Sequence, residues 1–173
     1  MIYIVLVINL LFGADSKPLL DDLYNNNNNW LEYSKTDDGK VIYEYQYNHE
    51  KYIKVVKDVE YSLFEIINEI KSINRYNEII SNKNVNTKLI LQDSDTLYAF
   101  QRISNSIPFV RDRQYIFKMY HVDNKRIDWY ILDKNNSLFE EYIDDNVHTL
   151  TYGAGSWYID GNNLINRIYV DDE

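Results

Sequence analysis

From Asn84 onward, apolar and polar side chains alternate with a period of two. Because successive side chains of a β-strand point to opposite faces, this alternation indicates strands with one buried face. Val85 to Leu91 is the first such segment, and Leu97 to Ile103 leads back after the turn at Asp93. More strands are predicted in the same way, one continuing to about His121 and others over 125–132, 148–152, 156–159 and 164–170. Strands joined by short turns favour one antiparallel sheet.

The first part of the chain predicts a helix and then a pair of strands. Ser16-Lys17-Pro18 offers an N-cap and a first turn to a helix that carries Leu19, Leu20 and Leu23 on one face. The polar run from Asn25 to Asn29 is typical of a loop. Residues 41–47 and 52–59 are rich in aromatic and β-branched side chains, and a turn at Gly39 precedes them. They are predicted to form two antiparallel strands.

Ser62 and Glu65 form a capping box that opens the clearest helix of the chain. Apolar residues recur in it at intervals of three and four: Leu63, Ile66, Ile67, Ile70 and Ile73. We expect this helix to break at Asn74 and a second, short helix to run to Ile80. The predicted fold class is therefore α+β, with one curved antiparallel sheet, an N-terminal helix and a helical excursion between the early strands and a long β-meander.

Length and composition limit the classes of function. A chain of 173 residues fits one domain with a real core or cavity. The net charge is −9 and the basic residues are scattered, so binding to nucleic acid through bulk electrostatics is disfavoured. The absence of cysteine excludes disulfides, thiol catalysis and zinc–thiolate sites.

The first residues predict an export signal. Ile2 to Phe12 is an apolar run that is too short to span a bilayer but matches the hydrophobic region of a signal peptide. Small residues follow it at Gly13 and Ala14. We expect residues 1–14 to be removed by cleavage near Ala14, and the protein to be periplasmic or extracellular. The alternative is a buried N-terminal strand.

One stretch interrupts the strand pattern with a proline and two arginines: Ile-Pro-Phe-Val-Arg-Asp-Arg-Gln-Tyr, from Ile107 to Tyr115. It resembles the central signature of START domains, the lipid-binding modules of the helix-grip fold. In that family a Pro-aromatic-hydrophobic turn leads into a strand that begins near an Arg-Asp-aromatic triplet, which is Arg113-Gln114-Tyr115 here. The Trp30 segment, the helical excursion and the Gly155-Ser156-Trp157 strand resemble the family in the same order.

This resemblance covers about residues 30–170 and implies a sheet that grips a long C-terminal helix over a lipid tunnel. The chain departs from the family at Gln114, where an aspartate is expected, and at its end, where Asp171-Asp172-Glu173 precede no segment matching that helix. We therefore expect residues 15–173 to form one START-like domain that is truncated, or that closes its cavity by other means such as dimerisation.

The resemblance and the strand pattern together nominate ligand-binding residues. Arg113 matches the signature arginine of the family, and Arg102 lies on the preceding strand. The candidate wall residues of the cavity are aromatic: Tyr98, Phe100, Tyr115, Phe117, Trp129 and Trp157. Each has a structural alternative, because Arg113 can form an ion pair with Asp112, Asp95 or Asp128 or face solvent, and aromatic side chains commonly pack in a core.

No catalytic or metal-binding residues are predicted. Gly153-Ala154-Gly155-Ser156 is not a nucleophile elbow and is expected to form a β-bulge or turn. His49, His121 and His148 share no ligand spacing. Glu140-Glu141 and Asp144-Asp145 could be glycosidase carboxylates by type, but adjacent acids on a strand point to opposite faces and are typical of a solvated surface. We expect a protein without enzymatic activity or cofactor that binds, and transfers, a lipid or other hydrophobic ligand through transient membrane contact. The alternatives are a helix-grip enzyme of the cyclase or hydratase type, and a protein-interaction module with a vestigial cavity.

Overall fold

A computed structural model describes residues 16–25, 29–47, 50–80, 83–105 and 111–171. Its helices are α1 (Leu19–Asn25), α2 (Leu63–Lys71), a 3-10 turn (Ile73–Arg75), α3 (Tyr76–Ile79) and α4 (Leu138–Tyr142). Its strands are β1 (Leu31–Lys35), β2 (Val41–Tyr47), β3 (Glu50–Asp58), β4 (Val85–Gln92), β5 (Thr96–Ile103), β6 (Arg113–Asp123), β7 (Arg126–Ile131), β8 (His148–Thr149), β9 (Gly153–Asp160) and β10 (Asn163–Val170). Among these helices there is none of the length and apolar character that crossing a bilayer requires. The predicted export signal and the turn at Pro108 lie outside the described residues.

All strands belong to one sheet, in the order β1-β2-β3-β10-β9-β7-β6-β5-β4. Neighbours along this path are antiparallel, and only the two-residue strand β8 pairs in parallel, with β6. The last strand, β10, lies between β3 and β9 and so joins the first three strands to the meander. The α+β prediction with a single antiparallel sheet is confirmed.

The sheet has two covered faces, which we call inner and outer. The inner face carries α2 and the 3-10 turn, whose Ile67 and Ile73 pack against side chains of β5 to β7: Leu97, Ala99, Phe117, Met119, Ile127, Trp129 and Ile131. The outer face carries α1 and α4. Leu23 of α1 packs against Tyr52 and Tyr169, and Phe139 of α4 packs against Ile116.

Helix α2 begins as the capping box predicts. The Ser62 side chain accepts the Glu65 N–H, and the Glu65 carboxylate accepts the Ser62 N–H at 3.0 Å. The helix ends at Lys71, before the expected break at Asn74. Ser72 ends it, because its hydroxyl donates to the Asn68 carbonyl at 2.7 Å and the chain then tightens into the 3-10 turn.

Two local predictions were wrong. The Gly153 to Ser156 segment is neither a bulge nor a turn, but the regular start of β9, paired residue by residue with β10. Residues after the loop at Asp133 form the short helix α4, so Glu141 lies on a helix and not on a strand. Small residues suit β9 because neighbouring side chains lie directly over it, as the geometry at Gly155 shows below.

Candidate ligand site

The floor of the inner face is a continuous apolar row that crosses the sheet. Strand register places Met119 opposite Trp129, Trp129 opposite Gly155, Gly155 opposite Ile168, and Ile168 opposite Ile53. Directly opposed residues share a face, so this row runs without interruption over β6, β7, β9, β10 and β3. A second row lies beside it, formed by Ile127, Trp157, Asn166, Val55 and Ile42.

The Trp129 indole packs directly against Gly155. A Cβ atom built on Gly155 would be 2.6 Å from two atoms of the Trp129 indole and 2.7 Å from the Arg167 carbonyl oxygen. Phe117 meets the indole edge-on, with ring centroids 6.2 Å apart, and Tyr115 packs against Phe117 at 5.9 Å. The middle of the floor is therefore aromatic, and it requires a residue without a side chain at position 155.

The described helices cover only one side of this floor. Ile70 and Tyr76 add to the packing of Ile67 and Ile73 over β4 to β7. Toward β1 to β3 the same face is more open, since Ile42, Val55 and Leu164 are only half-buried and Leu31 at the edge is 75 % exposed. The inner face thus combines a roofed half with a half that the described residues cover less, where apolar side chains lie beside Glu44, the residue opposite Ile53.

A chain of neutral polar groups lies under the roofed half. The Tyr115 hydroxyl donates to Oε1 of Gln101, and Nε2 of Gln101 donates to the Thr87 hydroxyl at 2.8 Å. Burial raises the pKa of Tyr115 above its ordinary value, so the phenol stays protonated at neutral pH. These groups offer hydrogen bonds, and no formal charge, to a molecule on the floor.

Comparisons of sequence find no match, because no protein-family model and no curated protein resembles the chain significantly. Comparisons of structure do find matches. A STAR-related lipid transfer protein from Xanthomonas axonopodis superposes with a TM-score of 0.65 at 8 % identity, covering 84 % of this chain and 82 % of that one. The human StarD13 lipid transfer and protein localization domain gives 0.62 at 13 % identity, over 94 % of this chain and 85 % of that one. Human StAR-related lipid transfer protein 5 gives 0.61 at 9 % identity, over 90 % and 80 %.

The chain has the START fold. This confirms the helix-grip prediction and the resemblance on which it was based. At these identities the agreement concerns the path of the backbone, so the residues of the site must be taken from this chain alone.

Within the START fold, the eight predicted site residues lie on two faces. Tyr115, Phe117, Trp129 and Trp157 belong to the inner cluster or pack against it, and Arg113 shares their face by alternation along the strands. Tyr98 and Phe100 pack instead with α4 on the outer face, and Arg102 lies on that face by the same alternation. Ligand contact by each residue stays a prediction, and only the inner five could share one ligand.

Arg102 has ionic partners on the outer face. Its guanidinium lies 3.0 Å from the Asp112 carboxylate and 3.7 Å from that of Asp144. The Asn105 N–H and Arg102 together hold the pKa of Asp112 below its usual value. Of the aspartates considered as partners of Arg113, Asp128 already receives two hydrogen bonds from Arg126, at 2.7 and 2.6 Å.

Gln114, the departure from the START signature, is fully buried and holds a loop in place. Its amide nitrogen donates to the Asp144 carbonyl at 2.6 Å and to the Thr149 hydroxyl at 3.0 Å, while its amide oxygen accepts the Asp144 N–H at 3.2 Å. An ionised aspartate could accept hydrogen bonds but donate none. Glutamine in place of the expected aspartate therefore has a structural role, because it fixes residues 144–149 beside β6.

Sequence reasoning missed several residues of the inner face and one arginine that holds α1 on the outer face. Ile53, Val55 and Ile168 alternate as strand residues should, but their face follows only from the register with β9 and β10. Arg167 was also missed. It is buried, and its guanidinium donates to the Leu23 carbonyl of α1 and to the Tyr158 hydroxyl, both at 2.8 Å. It attaches α1 to the outer face.

A polar cleft of about 250 Å³ lies beside α1 on the outer face, lined by Lys17, Pro18, Leu20, Asp21, Tyr120, Arg126 and Asp128. Burial raises the pKa of Asp128 despite its ion pair with Arg126. Because Arg126 and Asp128 pair with each other, neither charge needs a ligand in the cleft to explain its position. Within the described ranges, no three histidine or acidic side chains are placed to hold a metal ion.

Proposed function

We propose that this protein binds a lipid or another hydrophobic ligand on the inner face of its sheet, without converting it chemically. The observation that carries the proposal is the apolar row from Met119 to Ile53, roofed on one side and, as far as the described residues extend, open on the other. Proteins described as lipid transfer proteins share the backbone path that creates this face. This supports a lipid ligand over a protein-interaction role with a vestigial cavity.

The proposed mechanism is retention by apolar contact. An acyl or ring system lies on Trp129, Ile168 and Val55, and each buried methylene contributes about 0.8 kcal/mol. A polar group of the ligand meets the hydroxyl of Tyr115 or the second side-chain N–H of Gln101. The roofed half shields the bound part from water, and the open half lets the ligand enter and leave.

Extraction of natively purified protein and mass spectrometry of the extract test this proposal. We expect a hydrophobic molecule to co-purify, and a fluorescent lipid to displace it. Val55→Glu places a charge on the open half of the floor and should reduce lipid binding at least tenfold, because a bound acyl chain would displace the water that solvates the ionised carboxylate. Leu91→Glu, at an exposed position of β4, is the matched control and should bind like the wild type.

Absence of both a co-purifying and an exchangeable ligand would contradict the proposal, as would equal binding by a folded Val55→Glu variant. Transfer is the further step that we propose. It predicts that catalytic amounts of protein accelerate the movement of the fluorescent lipid from donor to acceptor vesicles, and that Val55→Glu abolishes the acceleration while Leu91→Glu preserves it.

We also propose that residues 1–14 direct export, on the basis of the apolar run from Ile2 to Phe12 followed by Gly13 and Ala14. Expression of the full chain in the source cell, followed by N-terminal sequencing of the exported material, is expected to give a mature start close to Asp15. Intact protein that retains Met1 and stays in the cytoplasm would exclude this proposal.

A further inference from the structure

Strand β1 presents an unoccupied edge of the sheet. It stands at one end of the strand order, and within the described residues no strand pairs with its far side. Leu31 is 75 % and Tyr33 is 68 % exposed on this edge strand. An edge strand offers a row of backbone donors and acceptors to a strand of another molecule, and exposed apolar side chains strengthen the attraction.

The opposite edge, β4, is protected. The side-chain amide of Asn77 in α3 donates to the Thr87 carbonyl at 2.9 Å and accepts the Thr87 N–H at 2.8 Å. Because this amide satisfies both backbone groups of Thr87, it occupies the place of a neighbouring strand. The two edges therefore differ. The backbone of β4 is bonded by Asn77 at Thr87, whereas β1 has no neighbouring strand on its far side among the described residues.

The charges on β1 indicate which partner fits. A β-bulge lies between Glu32 and Ser34 in the pairing of β1 with β2. In a regular strand, residues three apart face opposite sides, but the bulge brings Glu32 and Lys35 to the outer side, where their charged atoms are 3.7 Å apart. One acid and one base thus lie on the same face of the edge, on either side of Ser34.

We propose that β1 pairs antiparallel with β1 of a second copy of this chain, about a two-fold axis that passes beside Ser34. In this register Glu32 of each copy lies opposite Lys35 of the other, which gives two symmetric ion pairs on the outer face. Leu31 of each copy falls near Thr36 of the other on the inner face. Such a self-complementary arrangement is what a two-fold interface requires.

The second copy is favoured over an unrelated partner because the opposite charges occur at symmetry-related positions. The contact is limited to one five-residue strand from each copy, which is well below a standard interface, so the dimer is weak. The inner faces of the two copies would then form one continuous surface across β1. The inference is independent of the proposed ligand.

Sedimentation velocity of the full chain, from about 5 to about 500 µM, tests the proposal at concentrations that suit a weak interface. We expect a reversible monomer–dimer equilibrium. Glu32→Lys and Lys35→Glu each replace two attractive pairs by two repulsive ones, and each should raise the dimer dissociation constant about tenfold. Glu60→Lys and Lys125→Glu change the net charge equally at exposed positions elsewhere and should leave dimerisation unchanged.

A mixing experiment makes the test specific. A Glu32→Lys chain and a Lys35→Glu chain are individually repulsive, but together they restore both ion pairs, so their equimolar mixture should dimerise like the wild type. The double variant Glu32→Lys/Lys35→Glu should also recover. Mixing with one chain labelled by ¹⁵N, read by native mass spectrometry, identifies the mixed dimer. A wild type that remains monomeric at about 500 µM, equal dimerisation by all variants, or no gain on mixing would each overturn the proposal.

Discussion

Replacing Gly155 by alanine is expected to lower the free energy of unfolding by about 3 kcal/mol, the upper part of the range for an overpacked core. The added methyl group would lie 2.6 Å from the Trp129 indole and 2.7 Å from the Arg167 carbonyl oxygen. The indole can move only at the expense of its contact with Phe117, and the carbonyl belongs to the paired backbone of β10. Urea denaturation measures the loss, and near-ultraviolet circular dichroism reports the displaced indole.

Ser156→Ala is the matched control for this substitution. It changes the next residue of β9, which faces the opposite side of the sheet, and it adds no atom. We expect it to change the unfolding free energy by less than about 1 kcal/mol. If Gly155→Ala were as stable as the wild type and kept its near-ultraviolet spectrum, the close packing of Trp129 on β9 would be refuted. A folded Gly155→Ala variant should also hold the fluorescent lipid less tightly, since Trp129 forms the middle of the floor.

Replacing Gln114 by glutamate is the second large effect, a loss of about 3 kcal/mol at pH 7. The new carboxylate would be as buried as the amide and would face the Asp144 carbonyl at the position of a donor 2.6 Å away. Burial and the carbonyl oxygens would raise its pKa in the folded state. The folded variant therefore binds a proton more readily than the unfolded chain, and the loss should shrink as the pH falls toward the pKa of the unfolded carboxyl group.

Gln46→Glu makes the same chemical change at an exposed position of β2 and should alter the unfolding free energy by less than about 0.5 kcal/mol. Amide hydrogen exchange separates the two effects further. In Gln114→Glu we expect faster exchange at Asp144 and Leu150, whose N–H groups bond to Gln114. A loss of stability that is independent of pH, with normal protection at these amides, would contradict the role assigned to Gln114.

The elements of this fold could be predicted from the sequence because each carries a local signal. The capping box at Ser62 and the period-two runs act within one element, so the start of α2 and the positions of most strands follow from neighbouring residues. Helix α4 lacks such a signal. It has five residues, and its burial depends on Ile116 of β6 and on Leu132, which follows β7. The strand that begins at Gly153 was missed for a similar reason, because the side chains that crowd Gly153 and Gly155, Ile131 and Trp129, come from β7.

The composition of the candidate site could be predicted only in part. Alternation shows that Tyr98 and Phe100 share a face, and that Tyr115 and Phe117 share a face. Whether these two pairs share one face depends on the register of β5 with β6. Phe100 lies opposite Ile116 and not opposite Phe117, so the two pairs are separated by the thickness of the sheet. One residue of register decides this, and no property of either strand alone records it.

The position of β10 in the sheet also determines when the two groups of strands can join during folding. Strands β1 to β3 can form hairpins as soon as they are synthesised, but among the described strands only β10 pairs them with the meander, through Ile53 opposite Ile168 and the neighbouring pairs. During translation, Tyr45 and Tyr52 therefore lack this partner strand until β10 has been synthesised. Contacts so distant in sequence form slowly, and until they form the early hairpins expose aromatic surface to other nascent chains. Completion of β10 is the event that converts two separate groups of strands into one sheet.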